Sequence, residues 1–209
     1  MNIILGLQLV KMKIIDPILI LGATCFIFSC SEPVGGPKND VRSASLDTNS
    51  FKEKGMGFAV ATKQQLANNL IRAITASGTT HALEFCSSKA VALTDSMGEA
   101  LGANIRRVSD KPRNAQNRAR GKELRYIEQG KGSLASGYDL TPEIYTEGRY
   151  VIGLYPIITN AMCLQCHGSP NEEIQPATLD KIATLYPEDL ATGYNENELR
   201  GVWVVEMNQ

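Results

Sequence analysis

Cys163-Leu164-Gln165-Cys166-His167 decides how the rest of this chain is read. It has the form C-x-x-C-H, the attachment signature of c-type haem. Each position has a chemical task. Two thiols three residues apart can each add to one vinyl group of a porphyrin, giving two thioether bonds. The histidine directly after the second thiol then swings beneath the macrocycle and ligates the iron. If the run is helical, Cys163 and His167 stand four apart and share one face, so one turn offers both porphyrin edge and metal. Two other chemistries use the same residue types. A thioredoxin-like redox pair also reads C-x-x-C, but it sits at a strand-to-helix turn of a βαβ unit. Here the pair follows Gly153-Leu154-Tyr155-Pro156-Ile157-Ile158-Thr159-Asn160, with no such unit around it. A structural zinc site needs two further ligands, and beyond the motif only Cys86 and His81 remain outside the N-terminal segment. The motif therefore predicts one covalent haem c on Cys163 and Cys166, with His167 as proximal iron ligand.

The N-terminus agrees with that chemistry, because c-type haem is attached outside the cytoplasm. Met12-Lys13 opens a short positive region, and an apolar run follows from Ile14 to Phe28, broken only by Asp16 and Pro17. The run is short for a membrane span and has the proportions of a signal-peptide core. It ends Ile27-Phe28-Ser29-Cys30, after which the sequence turns polar. That ending resembles a bacterial lipobox, in which the cysteine is diacylated and becomes the mature N-terminus, although Phe28 replaces the usual small residue. Cys25, after Gly22-Ala23-Thr24, is an alternative with apolar residues still behind it; an uncleaved anchor is another. The expected organisation is a lipoprotein signal peptide over 1–30, with Met12 as a candidate start, then a polar tether over 31–56, then one domain over 57–209. The expected location is the bacterial cell envelope, facing the periplasm or the surface, with a lipid anchor at Cys30 in the membrane.

Composition sets bounds. With 21 Lys+Arg against 22 Asp+Glu the formal net charge is -1, so there is no electrostatic case for nucleic acid. Two histidines and a single C-x-x-C-H leave room for one covalent haem and exclude a multihaem protein of the His/His type. Of the five cysteines, two lie in the signal region, two in the motif, and Cys86 stands alone. In an exported protein a leftover cysteine needs an explanation.

Leu66, Leu70, Ala73, Ile74 and Ala76 form a helical stripe over 62–77, with Gly78 as a stop. Thr79 or Thr80 can cap a second helix running to about Asn104, with Ala82, Phe85, Val91, Leu93, Met97 and Leu101 on its apolar face beside Cys86. Arg106-Arg107-Val108-Ser109 then leads into a polar stretch over 110–121, followed by a helix over 122–128. The second half changes character. Residues 144–158 read as a β-hairpin turning at Thr146-Glu147-Gly148, and Val202-Trp203-Val204-Val205-Glu206-Met207 as a strand. Helices first and strands later argue for an α+β domain with an antiparallel sheet.

Several stretches together resemble the Tll0287-like haem domain, a PAS-like c-haem module of bacteria. They are Ala82 to Ala90, Ile105 to Ser109, Arg113-Asn114 with Asn117, Cys163 to Gly168, and Leu185 to Tyr194 (Leu-Tyr-Pro-Glu-Asp-Leu-Ala-Thr-Gly-Tyr). Ala115 departs from the proline usual in the family. The resemblance implies a PAS-like antiparallel sheet with N-terminal helices and the haem held against it. It also implies that Cys86 is the sixth iron ligand. From the residues alone His or Met is the commoner distal ligand, leaving His81, Met97 and Met162 as candidates, and a buried free cysteine is most often a small core residue. Arg106, Arg107 and Arg113 are candidates for the haem propionates, because guanidinium binds carboxylate through two parallel hydrogen bonds.

What the haem does is less legible. No acid/base pair, nucleophile or substrate motif stands beside the haem signature, which argues against an enzyme. One-electron transfer to an unidentified redox partner is the first expectation. A redox or gas sensor reporting to a signalling partner is the second.

Overall fold

The computed structural model describes residues 47–209. Met12, Cys25, Cys30 and most of the expected tether lie outside the described residues. The long helix α1 (Thr48–Leu101) starts behind Asp47, whose carboxylate accepts from the Ser50 amide at 3.2 Å. It breaks at Ser77 (φ -155, ψ 20) and Gly78 (φ 78, ψ -177), and the second of these conformations is nearly exclusive to glycine. The stop expected at Gly78 is thus a kink between two helical halves. The tether, by contrast, does not run to 56. Phe51, Gly55 and Ala59 recur every four residues and present one face to the sheet. A Cβ on Gly55 would collide with the Tyr155 ring, whose hydroxyl donates to the Lys52 carbonyl at 3.1 Å. Polar composition hid this stripe.

Gly102 adopts the left-handed conformation (φ 66) and donates to the Glu99 carbonyl, ending α1 at Leu101 rather than near 104. Strand β1 (Ala103–Val108) follows at once, where the arginine-rich run had suggested only a lead into a loop. After a short 3-10 turn (Ala115–Asn117), capped by the Asn114 side chain, comes α2 (Gly121–Ala135), twice the expected extent. Strands β2 (Glu143–Glu147) and β3 (Tyr150–Ile158) form the expected hairpin, with Gly148 at φ 59 in the turn. Helix α3 (Ala161–His167) carries the C-x-x-C-H run. Helix α4 (Pro176–Leu185), not anticipated, packs Ile182 against Leu83 of α1. Strand β4 (Leu199–Asn208) completes the domain. Among the described residues no helix is long and apolar enough to cross a membrane.

The sheet runs β1-β4-β3-β2, and every pair is antiparallel, as expected for an α+β domain. Side-chain alternation gives it two faces. Ile105, Val151, Tyr155, Trp203, Val205 and Met207 point to α1 and join Ala59, Leu66 and Ala90 in one core. Val108, Ile152, Leu154, Val202 and Val204 point the other way and pack with Tyr126 and Ile127 of α2. The sheet is therefore buried on both sides.

Candidate functional site

Between the α1 face of the sheet and α3 lies a cavity of ≈ 320 Å³. Leu66, Leu70, Ile74, Ala82 and Cys86 of α1 form one wall, and Ile157 and Trp203 form the sheet wall. Met162, Cys163, Cys166 and His167 of α3 close the third side. The kink in α1 lets residues from both helical halves line one space.

Asn160 begins the motif helix. Its side-chain oxygen accepts from the Cys163 amide and from the Cys163 thiol, both at 3.3 Å. The run is helical, so Cys163 and His167 occupy one face as the i, i+4 spacing requires. Both motif thiols and Cys86 are free. Burial pushes the Cys166 thiol up to about 11, opposed by the nearby Arg113 guanidinium. Burial also raises the Cys86 thiol, with Arg107 and then Arg113 opposing it.

His167 Nδ1 lies 2.7 Å from the Ala191 carbonyl oxygen. A carbonyl only accepts, so Nδ1 carries the proton and Nε2 keeps its lone pair, the tautomer a metal-ligating histidine needs. Arg200 Nε, 3.4 Å from the same Nδ1, is then a neighbouring cation rather than a donor to it. Burial first, then the charges of Arg200 and Arg113, hold the imidazole well below its usual value of 6.5. The ring is neutral and ready to donate electrons.

The three sequence-level arginines have separate fates. Arg107 lines the cavity with its guanidinium 5.4 Å from the Trp203 ring centroid and makes no hydrogen bond to any described residue. Arg106, its neighbour on β1, faces the opposite side of the sheet and pairs with Glu123 of α2. It does not reach the cavity, so its propionate role is withdrawn: adjacent strand residues point to opposite faces. Arg113 lines the cavity but is already engaged. Its Nε and Nη2 each lie 3.1 Å from the two Asp189 oxygens, and Nη2 donates to the Cys166 carbonyl at 2.7 Å. It braces the motif helix.

Among the distal-ligand candidates, Cys86 and Met162 line the cavity; His81 and Met97 do not. His81 is 51% exposed and sits 3.6 Å from Glu84. With His81 on the surface, and no group of three His, Cys, Asp or Glu gathered among the described residues, the zinc alternative has no ligand set. The redox-pair alternative lacks its βαβ frame, since α3 connects antiparallel strands.

Sequence reasoning missed Ala191, Arg200, Trp203 and the brace role of Asp189. The residues 189–194 were visible only as part of a resemblance. Ala191 acts through its backbone, which no residue type reveals, and Arg200 at the start of β4 carried no motif.

A family model described as Tll0287-like matches residues 42–208. The chain belongs to that family. The crystal structure of the cyanobacterial heme-protein Tll0287 is similar to this fold, with a TM-score of 0.55 and 24% sequence identity. The match covers 74% of this chain and 94% of that one. No curated protein matches. The Tll0287-like match spans all four strands and the C-x-x-C-H helix, so the cavity and its motif lie inside the shared region.

Proposed function

We propose that this protein binds one covalent haem c and serves as a membrane-anchored, monohaem c-type cytochrome-like protein carrying single electrons. The observation that carries the proposal is convergence. Two motif thiols, a neutral histidine with its Nε2 lone pair available, a third thiol and a guanidinium without a hydrogen-bond partner among the described residues all border one apolar cavity. Each has a task there. Cys163 and Cys166 form the thioethers, His167 is the proximal ligand and Cys86 the distal one. Arg107 meets a propionate, which gives a cation inside an apolar wall the partner it lacks.

The bound group supplies a one-electron iron couple. Bound as an anionic sulfur, Cys86 would donate charge and favour the ferric state, so the potential would lie below that of a His/Met site. With His167 and Cys86 both bound to iron, no position would be left open for substrate, which would suit a carrier rather than an enzyme. Family membership supports haem binding, because the related solved structure is a haem protein. The lipid anchor rests on Cys30 and its apolar leader; two or three acyl chains hold a domain stably at a membrane.

The test is expression in cells competent for cytochrome c maturation. Haem staining should persist on denaturing gels and vanish in the Cys163→Ala/Cys166→Ala pair, and Cys86→Ala should turn low-spin ferric haem high-spin. A mature mass lacking one haem overturns the proposal. Cys30→Ala should release the domain from membranes or stall its processing; unchanged membrane retention removes the lipid anchor.

A second reading is a haem-based redox or gas sensor of PAS-like type. One observation favours it: Cys86 stands on the half of α1 beyond the Gly78 kink, and that half is packed on α4 through Leu83 and Ile182, so a change at the thiol would be felt by a neighbouring element. Reduction would weaken the attraction of iron for thiolate and so could free a coordination position for a gas. Carbon monoxide binding to the ferrous protein, reshaping its spectrum, would select this reading over simple transfer.

A further inference from the structure

Asp189 and Arg113 form an ion pair that is 8% and 10% exposed at its side chains and lies directly behind the motif helix. It joins two backbone segments that meet at His167. On one side Arg113 Nη2 donates to the Cys166 carbonyl at 2.7 Å. On the other, Asp189 Oδ1 accepts from the Ala191 amide at 3.0 Å, and Arg113 Nη2 lies 3.4 Å from the Ala191 carbonyl. That carbonyl is the one to which His167 Nδ1 donates at 2.7 Å. The ion pair thus grips both the helix that carries the imidazole and the oxygen that orients it.

The pair also carries charge. Arg113 is one of the cations acting on His167. Asp189 is hydrogen-bonded to that guanidinium through both carboxylate oxygens at 3.1 Å, so the pair as a whole carries no net charge. A carbonyl partner sets both the orientation and the basicity of a ligating histidine. A buried charge left uncompensated nearby acts strongly, because little solvent screens it.

We propose that Asp189 and Arg113 are positioning residues, a charge-neutral clasp that fixes His167 through the Ala191 carbonyl and sets the electron donation of the axial ligand. The clasp rests on the haem reading above. Its charge predicts opposite effects from its two halves. Asp189→Asn leaves Arg113 uncompensated beside the ligand, which favours the less positive ferrous site, so the midpoint potential rises. Arg113→Gln leaves the carboxylate, so the midpoint falls. Asp189→Asn/Arg113→Gln keeps an amide pair of similar shape without net charge, and its midpoint returns towards wild type.

The experiment is a potential-controlled absorption titration of the four haem-loaded full-length proteins. A rise, a fall and a return support the clasp. A purely structural brace would move both single variants in the same direction, and that result, or no movement in either, overturns the inference. If a single variant loads no haem, recovered loading in the double variant supports the clasp and continued failure overturns it. Wild-type protein that matures without covalent haem overturns the functional reading and the clasp with it; loaded protein with midpoints moving together overturns the clasp alone.

Discussion

The two faces of the sheet are built from the same four strands and finished in opposite ways. On the α2 face, Ile127, Leu154, Val202 and Val204 are at most 2% exposed, and the buried carboxylate of Glu123 is paired with Arg106. The α1 face begins likewise, with Val151, Val205 and Met207 sealed beneath the first half of α1. Beyond them it opens into a cavity where an apolar wall meets Arg107, Arg200 and three thiols. A charge in an apolar wall costs free energy unless a partner satisfies it. The contrast separates what holds the fold from what the fold holds: the α2 face carries stability, and the cavity gives some of it up for a ligand.

The largest effect that can test this contrast is on the sealed face. Ile127→Ala truncates a fully buried side chain and should cost roughly 3 kcal/mol by urea unfolding. Leu70→Ala, on the cavity wall of the haem-free protein, should cost about 1 kcal/mol or less, since its neighbours already border open space. Equal losses would erase the distinction between the faces.

Next in size is the kink that makes the cavity two-walled. Gly78 has φ 78 and ψ -177, and open space surrounds its missing Cβ. Gly78→Ala should therefore cost about 2 kcal/mol through backbone strain alone. A neutral result in thermal unfolding would mean that α1 can straighten there.

The cavity should also sensitise the haem-free protein to acid. Native His167 stays neutral well below 6.5, whereas the unfolded chain takes up a proton there. Between that value and the lowered native one, stability should fall by up to about 1.4 kcal/mol for each pH unit. His167→Gln should flatten the dependence; an unchanged slope would place its origin elsewhere.

The smallest effect has the most telling sign. Replacing a cation that stacks on Trp203 but lacks a hydrogen-bond partner among the described residues, Arg107→Met, should stabilise the haem-free protein by about 1 kcal/mol. The same change should lower the yield of haem-loaded protein. Destabilisation together with full haem loading would show that Arg107 serves the fold rather than the ligand.

Sequence by itself determined the parts whose physics is local. The C-x-x-C-H spacing, the break at Gly78, the β2–β3 hairpin and the valine-rich β4 each follow from motif, glycine freedom or β-branched content within a few residues. Boundaries were missed where composition and packing disagreed: polar residues 48–56 became helix because Phe51, Gly55 and Ala59 share a buried stripe, and arginine-rich 103–108 became a strand because β4 lies ready to pair with it. Only the tertiary structure decided the chemistry around the motif. Arg106, Arg107 and Arg113 look alike in sequence, yet one pairs with Glu123 behind the sheet, one faces the cavity, and one is held by Asp189, 76 positions away. His167 is oriented by a backbone oxygen at Ala191, which has no signature at all. The physical reason is range. Local conformational preferences are written in neighbouring residues, whereas the pairing of a buried charge and the partner of a buried imidazole depend on which distant segments the finished sheet brings together.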